Sequence, residues 1–280
     1  MRAVGRPFFS SIELKMAPSQ VKIRKFDPRT IPDDATVVFI GARGSGKSTA
    51  VRDVLYHHRH IPSGIAMSGT ERYTNYWSSI IPRSFIFDEF SEEALASTMK
   101  HQQRLAPPGR PRDPAFVLCD DVMYSKELGT NKKVREVFMN GRHCNLLFLL
   151  SLQYAMDLPP ALRSNIDFVV AFREPIVENR KKLYLNFFGQ VPDFHTFETI
   201  LHSCTANHEA LVVNKRSRGR TGRRACSTTR RRCGRAPRTG GWGRRRCGSG
   251  TSNTTTRRPG PGTTTKRGRG GGERRGSAWR

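Results

Sequence analysis

Two periodicities alternate along the chain between residues 36 and 213. Short apolar runs rich in β-branched residues, typical of buried strands, are followed by segments whose apolar residues recur at helical spacing. Strands alternating with helices form mainly parallel sheets covered on both faces, so the pattern predicts an α/β fold. Strands are predicted within 36–40, 63–69, 84–90, 115–123, 145–154, 167–174 and 208–215. Helices are predicted within 47–58, 91–104, 131–143, 158–166, 177–191 and 193–204, and residues 72–82 are predicted to be irregular.

The composition changes abruptly near the end of this pattern. From Arg216 onward the sequence contains no Val, Ile, Leu, Met, Phe or Tyr. Residues 215–280 hold 22 of the 49 lysines and arginines but one of the 23 acids, Glu273, so they carry most of the net charge of +26. Such a segment buries too little apolar surface to offset the entropy of ordering, which predicts disorder.

Two interpretations of this basic tail are open. A disordered basic arm would bind nucleic acid through its phosphates. Alternatively, the segment is translated out of frame. A GC-rich gene read in the wrong frame yields an amino-acid sequence rich in Arg, Gly, Pro and Thr, and we favour this second interpretation. The sequence therefore predicts a disordered N-terminal extension at 1–19, one folded domain at 20–214 and a disordered tail at 215–280.

Cysteine usage and apolar run lengths bear on the location of the protein. The six cysteines form no C-x-x-C pair, so we expect free thiols in a reducing compartment rather than a zinc site. No apolar run reaches the roughly 18 residues of a membrane span, and the N-terminal residues contain no signal-peptide core. We expect an intracellular protein that is neither secreted nor inserted in a membrane.

A phosphate-binding motif follows the first strong strand. Residues 41–49, GARGSGKST, fit the pattern G-x-x-x-x-G-K-S/T between a predicted strand and a predicted helix, the context that the motif requires. Backbone N–H groups of such a loop surround a β-phosphate where the helix dipole also favours anions. Lys47 is expected to reach the β- and γ-phosphates, and the Ser48 hydroxyl to bind Mg²⁺. The predicted nucleotide-binding residues are Gly41, Ala42, Arg43, Gly44, Ser45, Gly46, Lys47, Ser48 and Thr49.

Hydrolysis also requires a carboxylate near the metal and a group that activates water. Adjacent acids follow an apolar strand at two places, Asp88–Glu89 and Asp120–Asp121. We favour the second pair because its strand is longer, and because a further buried strand follows after one helix. That order is expected when an additional strand lies between the phosphate-loop strand and the metal-binding strand. Asp120 would hold the water shell of Mg²⁺, Asp121 would polarise the attacking water, and the other two acids would open a surface helix.

Three further side chains are candidates for the reaction. Gln153 ends the apolar strand after the acid pair, where an amide can contact the γ-phosphate and report its loss. The alternative is a strand-end glutamine bonded to its own backbone. Arg142 and Arg163 flank this strand, and each is either an arginine finger for a neighbouring subunit or a surface arginine. We expect His143 to be structural, since phosphoryl transfer makes little use of an imidazole.

Four segments together resemble a known family. They are similar to segments of the poxvirus-type genome-packaging ATPases of nucleocytoplasmic large DNA viruses, which belong to the FtsK–HerA superfamily of P-loop NTPases. The segments are FIGARGSGKST, FVLCDD, FMNGRHCNLLFLLSLQY and LPPALRSNIDFVVAFRE. The resemblance covers about residues 20–214. It implies a three-layer sandwich of the additional-strand type and a homo-oligomeric ring that uses ATP and Mg²⁺ to move double-stranded DNA into a capsid. Capsid or portal proteins would be partners, at assembly sites in the host cytoplasm or in the virion.

The resemblance also assigns roles, with two departures from the family pattern. It makes Asp120 and Asp121 the metal and water acids, Gln153 the sensor, and Arg142 the arginine of the GRH segment. The second acid is aspartate where the wider superfamily commonly has glutamate, so the attacking water must lie nearer the sheet. The tail departs from the ordinary composition of family members, which strengthens the out-of-frame interpretation.

The sequence therefore predicts an ATP-driven motor that packages viral double-stranded DNA. Residues 104–114 and 124–136 are candidate pore loops, or ordinary solvated loops. Two other functions are open. A nucleoside or polynucleotide kinase would need an arginine-bearing lid and a substrate acid, which residues 84–90 would supply. A basic nucleic-acid-binding protein with a nucleotide switch would depend on the tail.

Overall fold

One sheet organises the residues that this computed structural model describes, which are 9–14, 21–105, 113–122, 131–216 and 225–229. Its strands are β1 (Phe9–Leu14), β2 (Val21–Lys25), β3 (Thr36–Ile40), β4 (Ser63–Ser68), β5 (Ile86–Phe87), β6 (Ala115–Asp120), β7 (Leu146–Leu152), β8 (Phe168–Ala171), β9 (Ala210–Asn214) and β10 (Ala225–Thr229). They are hydrogen-bonded in the order β2-β1-β10-β9-β8-β3-β7-β6-β4-β5. The strands from β8 to β5 run parallel, and β9 joins them antiparallel.

Strand β7 lies between the phosphate-loop strand β3 and the acid-bearing strand β6. Ile40 at the end of β3 is opposite Leu152 of β7, and Asp120 at the end of β6 is opposite Ser151. Because parallel strands end at the same edge of a sheet, the residues that follow β3, β6 and β7 converge there. The predicted additional-strand arrangement is confirmed.

Helices cover both faces of the sheet. They are α1 (Lys47–His57), α2 (Glu71–Thr74), α3 (Glu92–Arg104), α4 (Lys132–Asn140), α5 (Pro160–Arg163), α6 (Val177–Phe187) and α7 (Phe194–Cys204). Successive side chains of a strand point to opposite faces. Val37 and Phe39 of β3 belong to the core that includes α1, whereas Val38 and Ile40 belong to the core that includes α3, α4, α6 and α7. The predicted three-layer sandwich is confirmed; no helix in the described part of the chain is long and apolar enough to cross a membrane.

Capping side chains determine where several helices begin. Ser91, Asn131 and Asp193 accept hydrogen bonds from N–H groups in the first turns of α3, α4 and α7. Such caps satisfy backbone donors that have no partner within the helix. The three caps thus tie the start of each helix to a side chain at its N-terminus.

Two segments predicted to be disordered contribute strands. β1 lies in the predicted N-terminal extension and pairs antiparallel with β2 and β10, and β10 lies in the predicted tail and pairs antiparallel with β9. Residues 9–14 and 225–229 are described as strands, and unpaired backbone groups at a sheet edge can pair with such a further strand, while the predicted domain bounds stay a prediction. Residues 1–8, 15–20, 217–224 and 230–280 lie outside the described residues, so disorder there stays a prediction.

The folded domain continues past its predicted end at residue 214. The backbone N–H of Lys215 donates to the carbonyl of Asp167 at 2.7 Å. Arg216 donates two hydrogen bonds to Asp34, at 2.7 and 2.6 Å, and these bonds hold the pKa of the Asp34 carboxyl below its usual range. In the sequence these two residues look like the start of the tail, but in the structure they attach the end of β9 to the segments before β8 and β3.

Three buried cysteines form no disulfide bond, in agreement with the prediction of reduced thiols. They are Cys119, Cys144 and Cys204. Burial raises the pKa of the Cys119 thiol to about 12. Since the thiolate is the reactive form, burial makes the thiol of Cys119, the residue before Asp120, a weak nucleophile.

A glycine in β4 makes room for an aromatic ring of the neighbouring strand. Gly64 is opposite Phe116 of β6, and a Cβ atom at residue 64 would lie 2.2 Å from a ring carbon of this buried side chain. We expect Gly64→Ala to lower the free energy of unfolding by about 1–3 kcal/mol, because the ring must leave a filled core. Denaturant unfolding measures the loss. The adjacent Ser63→Ala, at an exposed position, is the control, with an expected change below about 0.5 kcal/mol; equal losses in both variants would contradict this packing.

Candidate nucleotide-binding site

The loop between β3 and α1 has the backbone of a phosphate-binding loop. Gly44 and Gly46 have φ angles of 75° and 107°, which glycine adopts without steric strain. A Cβ atom at Gly41 would lie 2.6 Å from the Cβ atom of Phe172, so no side chain fits there. The predicted nucleotide-binding residues, 41–49, thus lie together at the N-terminus of α1, where backbone N–H groups bind phosphate.

Lys47 lies over this loop and bonds its carbonyl groups. The Lys47 ammonium donates to the carbonyl oxygen of Gly41 at 2.7 Å and to that of Ala42 at 3.2 Å. Burial lowers the pKa of this amine, an effect that the carboxylates of Asp121 and Asp120 oppose. The ammonium is therefore a buried cation at the place where a β- or γ-phosphate would accept its hydrogen bonds.

Asp120, the last residue of β6, contacts Ser48 of α1. Ser48 Oγ donates a hydrogen bond of 2.9 Å to Asp120 Oδ2, and the indole N–H of Trp77 donates to the same oxygen at 3.1 Å. Burial raises the pKa of the Asp120 carboxyl, and the hydrogen bond from Ser48 is the largest opposing effect. The structure therefore brings together the two residues that the sequence predicts to bind the metal.

Asp121 and Gln153 meet at the same edge of the sheet. Asp121 directly follows β6 and Gln153 directly follows β7. The Gln153 amide donates to both Asp121 carboxylate oxygens, at 3.2 and 3.1 Å. Asp121 has a φ angle of 57°, in the left-handed region. The side chains predicted to polarise water and to sense the γ-phosphate are thus in direct contact, while their roles stay predictions.

The oxygens of Ser48 and Asp120 fit a magnesium ion. Mg²⁺ prefers hard oxygen ligands, keeps several waters, and usually binds through one or two carboxylates together with substrate phosphates. A hydroxyl and a carboxylate lie 2.9 Å apart here, next to the phosphate loop. Ser48 would ligate the ion directly and Asp120 would hold its waters.

Arg142 lies at the opposite edge of the sheet from the phosphate loop. It precedes β7 and bonds Asp167, which precedes β8, at 2.5 Å. The other oxygen of Asp167 accepts the N–H of Thr36, the first residue of β3, at 3.0 Å. The structure therefore does not bring Arg142 to the phosphate loop of its own chain. Its side chain is 51% exposed, and its role as a finger for a neighbouring subunit stays a prediction.

Arg163, the last residue of α5, is bound within its own chain. Its Nε donates to the carbonyl of Leu158 at 2.6 Å, and its Nη1 donates to the side-chain oxygen of Asn186 on α6. Burial lowers the pKa of its guanidinium group. Arg163 would have to give up these bonds to act on a neighbouring subunit, so its role as a finger also stays a prediction.

The alternative acid pair lies farther along the sheet. Asp88 and Glu89 follow β5, which is separated from β3 by β7, β6 and β4. They form ion pairs with Arg83, at 2.7 Å, and with Arg72, at 3.1 Å. Both acids share an open cavity of about 810 Å³ with Asp121, but the contact with Ser48 is made by the favoured pair.

Sequence reasoning did not identify three residues that lie near the site. Glu71 and Trp77 come from the segment around the predicted irregular stretch; Glu71 is fully buried and accepts the backbone N–H groups of Trp77 and Ser78, each at 2.8 Å. His208 has a left-handed φ angle of 62° and places Nδ1 3.4 Å from the carbonyl oxygen of Ser45 in the phosphate loop. The only cue for Trp77 is a large apolar residue among polar ones.

The fold and this site together define a P-loop NTPase of the additional-strand type, which confirms the predicted fold class. No established family profile matches the chain. Its sequence is 33% identical over 207 residues to the uncharacterized protein L437 of Acanthamoeba polyphaga mimivirus, covering 71% of this chain and 73% of the relative. It is 39% identical over 179 residues to the uncharacterized protein 075L of Invertebrate iridescent virus 6, covering 64% and 69%. The chain belongs to this family of proteins from nucleocytoplasmic large DNA viruses, and the predicted family resemblance is confirmed.

Solved structures with the same fold include viral packaging enzymes. The genome packaging NTPase B204 of Sulfolobus turreted icosahedral virus 2, in complex with AMPPCP, has a TM-score of 0.51 and 14% identity, over 71% of this chain and 98% of that chain. The DNA-packaging ATPase B204 of Sulfolobus turreted icosahedral virus has a TM-score of 0.51 and 15% identity, with the same coverage. At these identities the similarity establishes the fold.

Proposed function

We propose that this protein is an ATPase that drives double-stranded DNA into a viral capsid. The observation that carries the proposal is the meeting of Ser48 with Asp120 and of Gln153 with Asp121 around the inserted strand β7. A phosphate loop, a metal-binding pair and a water-activating acid are the parts that phosphoryl transfer to water needs. Membership of a family from large DNA viruses, and the fold shared with the B204 packaging enzymes, support DNA as the cargo.

Each residue of the site has a separate role in hydrolysis. The loop at 41–49 receives the phosphates, and Lys47 exchanges its bonds to loop carbonyls for bonds to phosphate oxygens. Mg²⁺, held by Ser48 and Asp120, neutralises phosphate charge when bound. Asp121 orients the attacking water and accepts its proton. The Gln153 amide, which bonds Asp121 in this structure, turns to the γ-phosphate, so that loss of this phosphate changes the end of β7.

The motor would act as a homo-oligomeric ring around DNA. A neighbouring subunit would supply the arginine finger. Arg142, which is 51% exposed and has one ion pair with Asp167, is better placed for this than Arg163, whose guanidinium bonds both Leu158 and Asn186. Contacts to DNA would be made to phosphates, because a motor must accept any sequence. The candidate pore loops at 104–114 and 124–136 fall mostly on residues 106–112 and 124–130, outside the described residues. Capsid or portal proteins would hold the ring at assembly sites in the host cytoplasm or in the virion.

Hydrolysis of ATP by the full chain, with and without long double-stranded DNA, tests this proposal. We expect DNA to stimulate hydrolysis, and the stimulation to fall as salt rises, since contacts to phosphates release counterions. Lys47→Ala should lose hydrolysis with and without DNA. The matched Lys181→Ala, at an exposed lysine of α6, should keep both.

Each alternative function gives a different result in this assay. Hydrolysis that is indifferent to DNA would contradict the motor, and transfer of phosphate to a nucleoside or to a polynucleotide end would favour a kinase. A chain that ends at Thr229 retains strand β10 and the ion pair of Arg216 with Asp34, and lacks the rest of the basic tail. If this shorter chain loses all DNA binding, the tail is the binding element and the switch-type function is favoured.

A further inference from the structure

A buried tryptophan bonds the acid of the metal-binding pair. Trp77 lies after α2, and its side chain has no exposed surface. Its Nε1–H donates a hydrogen bond of 3.1 Å to Asp120 Oδ2. A buried indole N–H needs an acceptor, and here the acceptor is the carboxylate that faces the phosphate loop.

This bond determines which oxygen of Asp120 is available to a metal. A carboxylate offers about four lone-pair positions, two on each oxygen. Oδ2 already accepts two hydrogen bonds, from Ser48 Oγ at 2.9 Å and from Trp77 Nε1 at 3.1 Å. Oδ1 accepts neither of these two bonds, so it is the oxygen better able to accept bonds from metal-bound water, and the bond from the indole opposes rotation of the carboxylate.

Glu71 holds the backbone of Trp77 in place. Glu71 is fully buried, and its two carboxylate oxygens accept the backbone N–H groups of Trp77 and Ser78, each at 2.8 Å. A buried carboxylate that loses such bonds carries a large desolvation cost. Trp77 thus has a fixed backbone as well as a packed ring, and a chain of bonds runs from Glu71 through Trp77 to Asp120.

We infer that Trp77 is a positioning residue that orients Asp120 for metal binding. The inference rests on the proposed Mg²⁺-dependent hydrolysis of ATP. Groups that hydrogen-bond a metal ligand from behind fix its orientation, and their removal typically weakens metal affinity or activity by about 10–100-fold.

Trp77→Phe removes the N–H donor and keeps a buried aromatic ring, so it tests this role. We expect the Mg²⁺ concentration for half-maximal binding of a fluorescent ATP analogue to rise by about 10–100-fold. Binding of the same analogue in EDTA should be unchanged, and hydrolysis at saturating Mg²⁺ should recover most of the wild-type rate. Tyr76→Phe, which changes the adjacent ring at 4.9 Å but leaves the indole in place, is the control and should keep the wild-type Mg²⁺ midpoint.

Intrinsic fluorescence gives a second readout that needs no change at Trp77. The chain has three tryptophans, at 77, 242 and 279, so the double variant Trp242→Phe, Trp279→Phe leaves Trp77 as the reporter. We expect Mg²⁺ with ATP to shift its emission, and ATP in EDTA to shift it less. An unchanged emission, or a Trp77→Phe variant with the wild-type Mg²⁺ midpoint, would overturn the inference. If the wild-type chain itself shows no Mg²⁺-dependent binding, the proposed function fails first, and the two failures are distinguishable.

Discussion

Replacing Asp121 with asparagine should abolish ATP hydrolysis while ATP still binds. Both oxygens of Asp121 accept bonds from the Gln153 amide at the edge of the sheet where the phosphate loop lies. Asparagine has nearly the same shape but cannot take a proton from the attacking water. Loss of a general base typically slows a reaction by about 10²–10⁴-fold, and we expect a loss of this size. Single-turnover release of phosphate at saturating ATP measures it.

The control for this variant is Glu89→Gln, because Glu89 shares the open cavity with Asp121 and belongs to the alternative acid pair. Its side chain is 84% exposed and pairs with Arg72, so hydrolysis should be unchanged. Stabilisation of each variant by ATP in a thermal melt separates lost chemistry from lost binding. Full activity of Asp121→Asn together with an inactive Glu89→Gln would transfer the catalytic role to the alternative pair.

Replacing Arg180 with methionine should lower the free energy of unfolding by about 3 kcal/mol. The Arg180 side chain is 8% exposed, and it donates to Glu198 of α7 and to the carbonyls of Glu174 and Pro175, which follow β8. Methionine fills similar space but leaves these acceptors unpaired. Breaking a buried ion pair costs about 3–5 kcal/mol, and we expect the low end because Glu198 keeps 25% of its side-chain surface exposed. Denaturant unfolding provides the measurement.

Lys181→Met is the matched control, since it changes the next residue of the same helix. Lys181 pairs with Glu178 at 3.0 Å, but both side chains are more than half exposed. Exposed pairs of this kind contribute about 0.3–0.5 kcal/mol on a helix. A loss for Arg180→Met no larger than for Lys181→Met would show that the buried network does not stabilise the fold.

The position of the inserted strand, and the meeting of side chains at the ends of its neighbours, were predictable because they depend on strongly apolar strands. The run 145–154 follows one helix after the acid pair, and this position alone indicates an inserted strand. Once β7 lies between β3 and β6, the contacts of Asp120 and Gln153 follow from strand ends that share one edge. The apolar pattern of these strands and their place in the sheet indicate the same arrangement, so these contacts could be expected without knowledge of the tertiary packing.

The residues that sequence reasoning missed owe their positions to tertiary packing. Arg180 is a charged residue among the charged residues of α6, as on a solvent-exposed helix face, but α7 and the end of β8 bury its side chain. Trp77 and Glu71 lie in a stretch without periodicity. The bonds from Trp77 to Asp120 and to Glu71 depend on how that stretch packs into the core that it shares with α1. Arg216 is an arginine like many in the tail that follows it, and its ion pair with Asp34 is what places it in the folded domain.

The backbone angle at Asp121 explains why the shorter acid stands at this position. A φ angle of 57° is uncommon for residues other than glycine, and asparagine and aspartate adopt it most readily because their short polar side chains bond the local backbone. Glutamate lacks this compensation, so a longer acid would adopt this φ angle at a cost of about 1–2 kcal/mol. The reach of the acid is therefore set by the turn of the main chain as well as by the number of methylene groups.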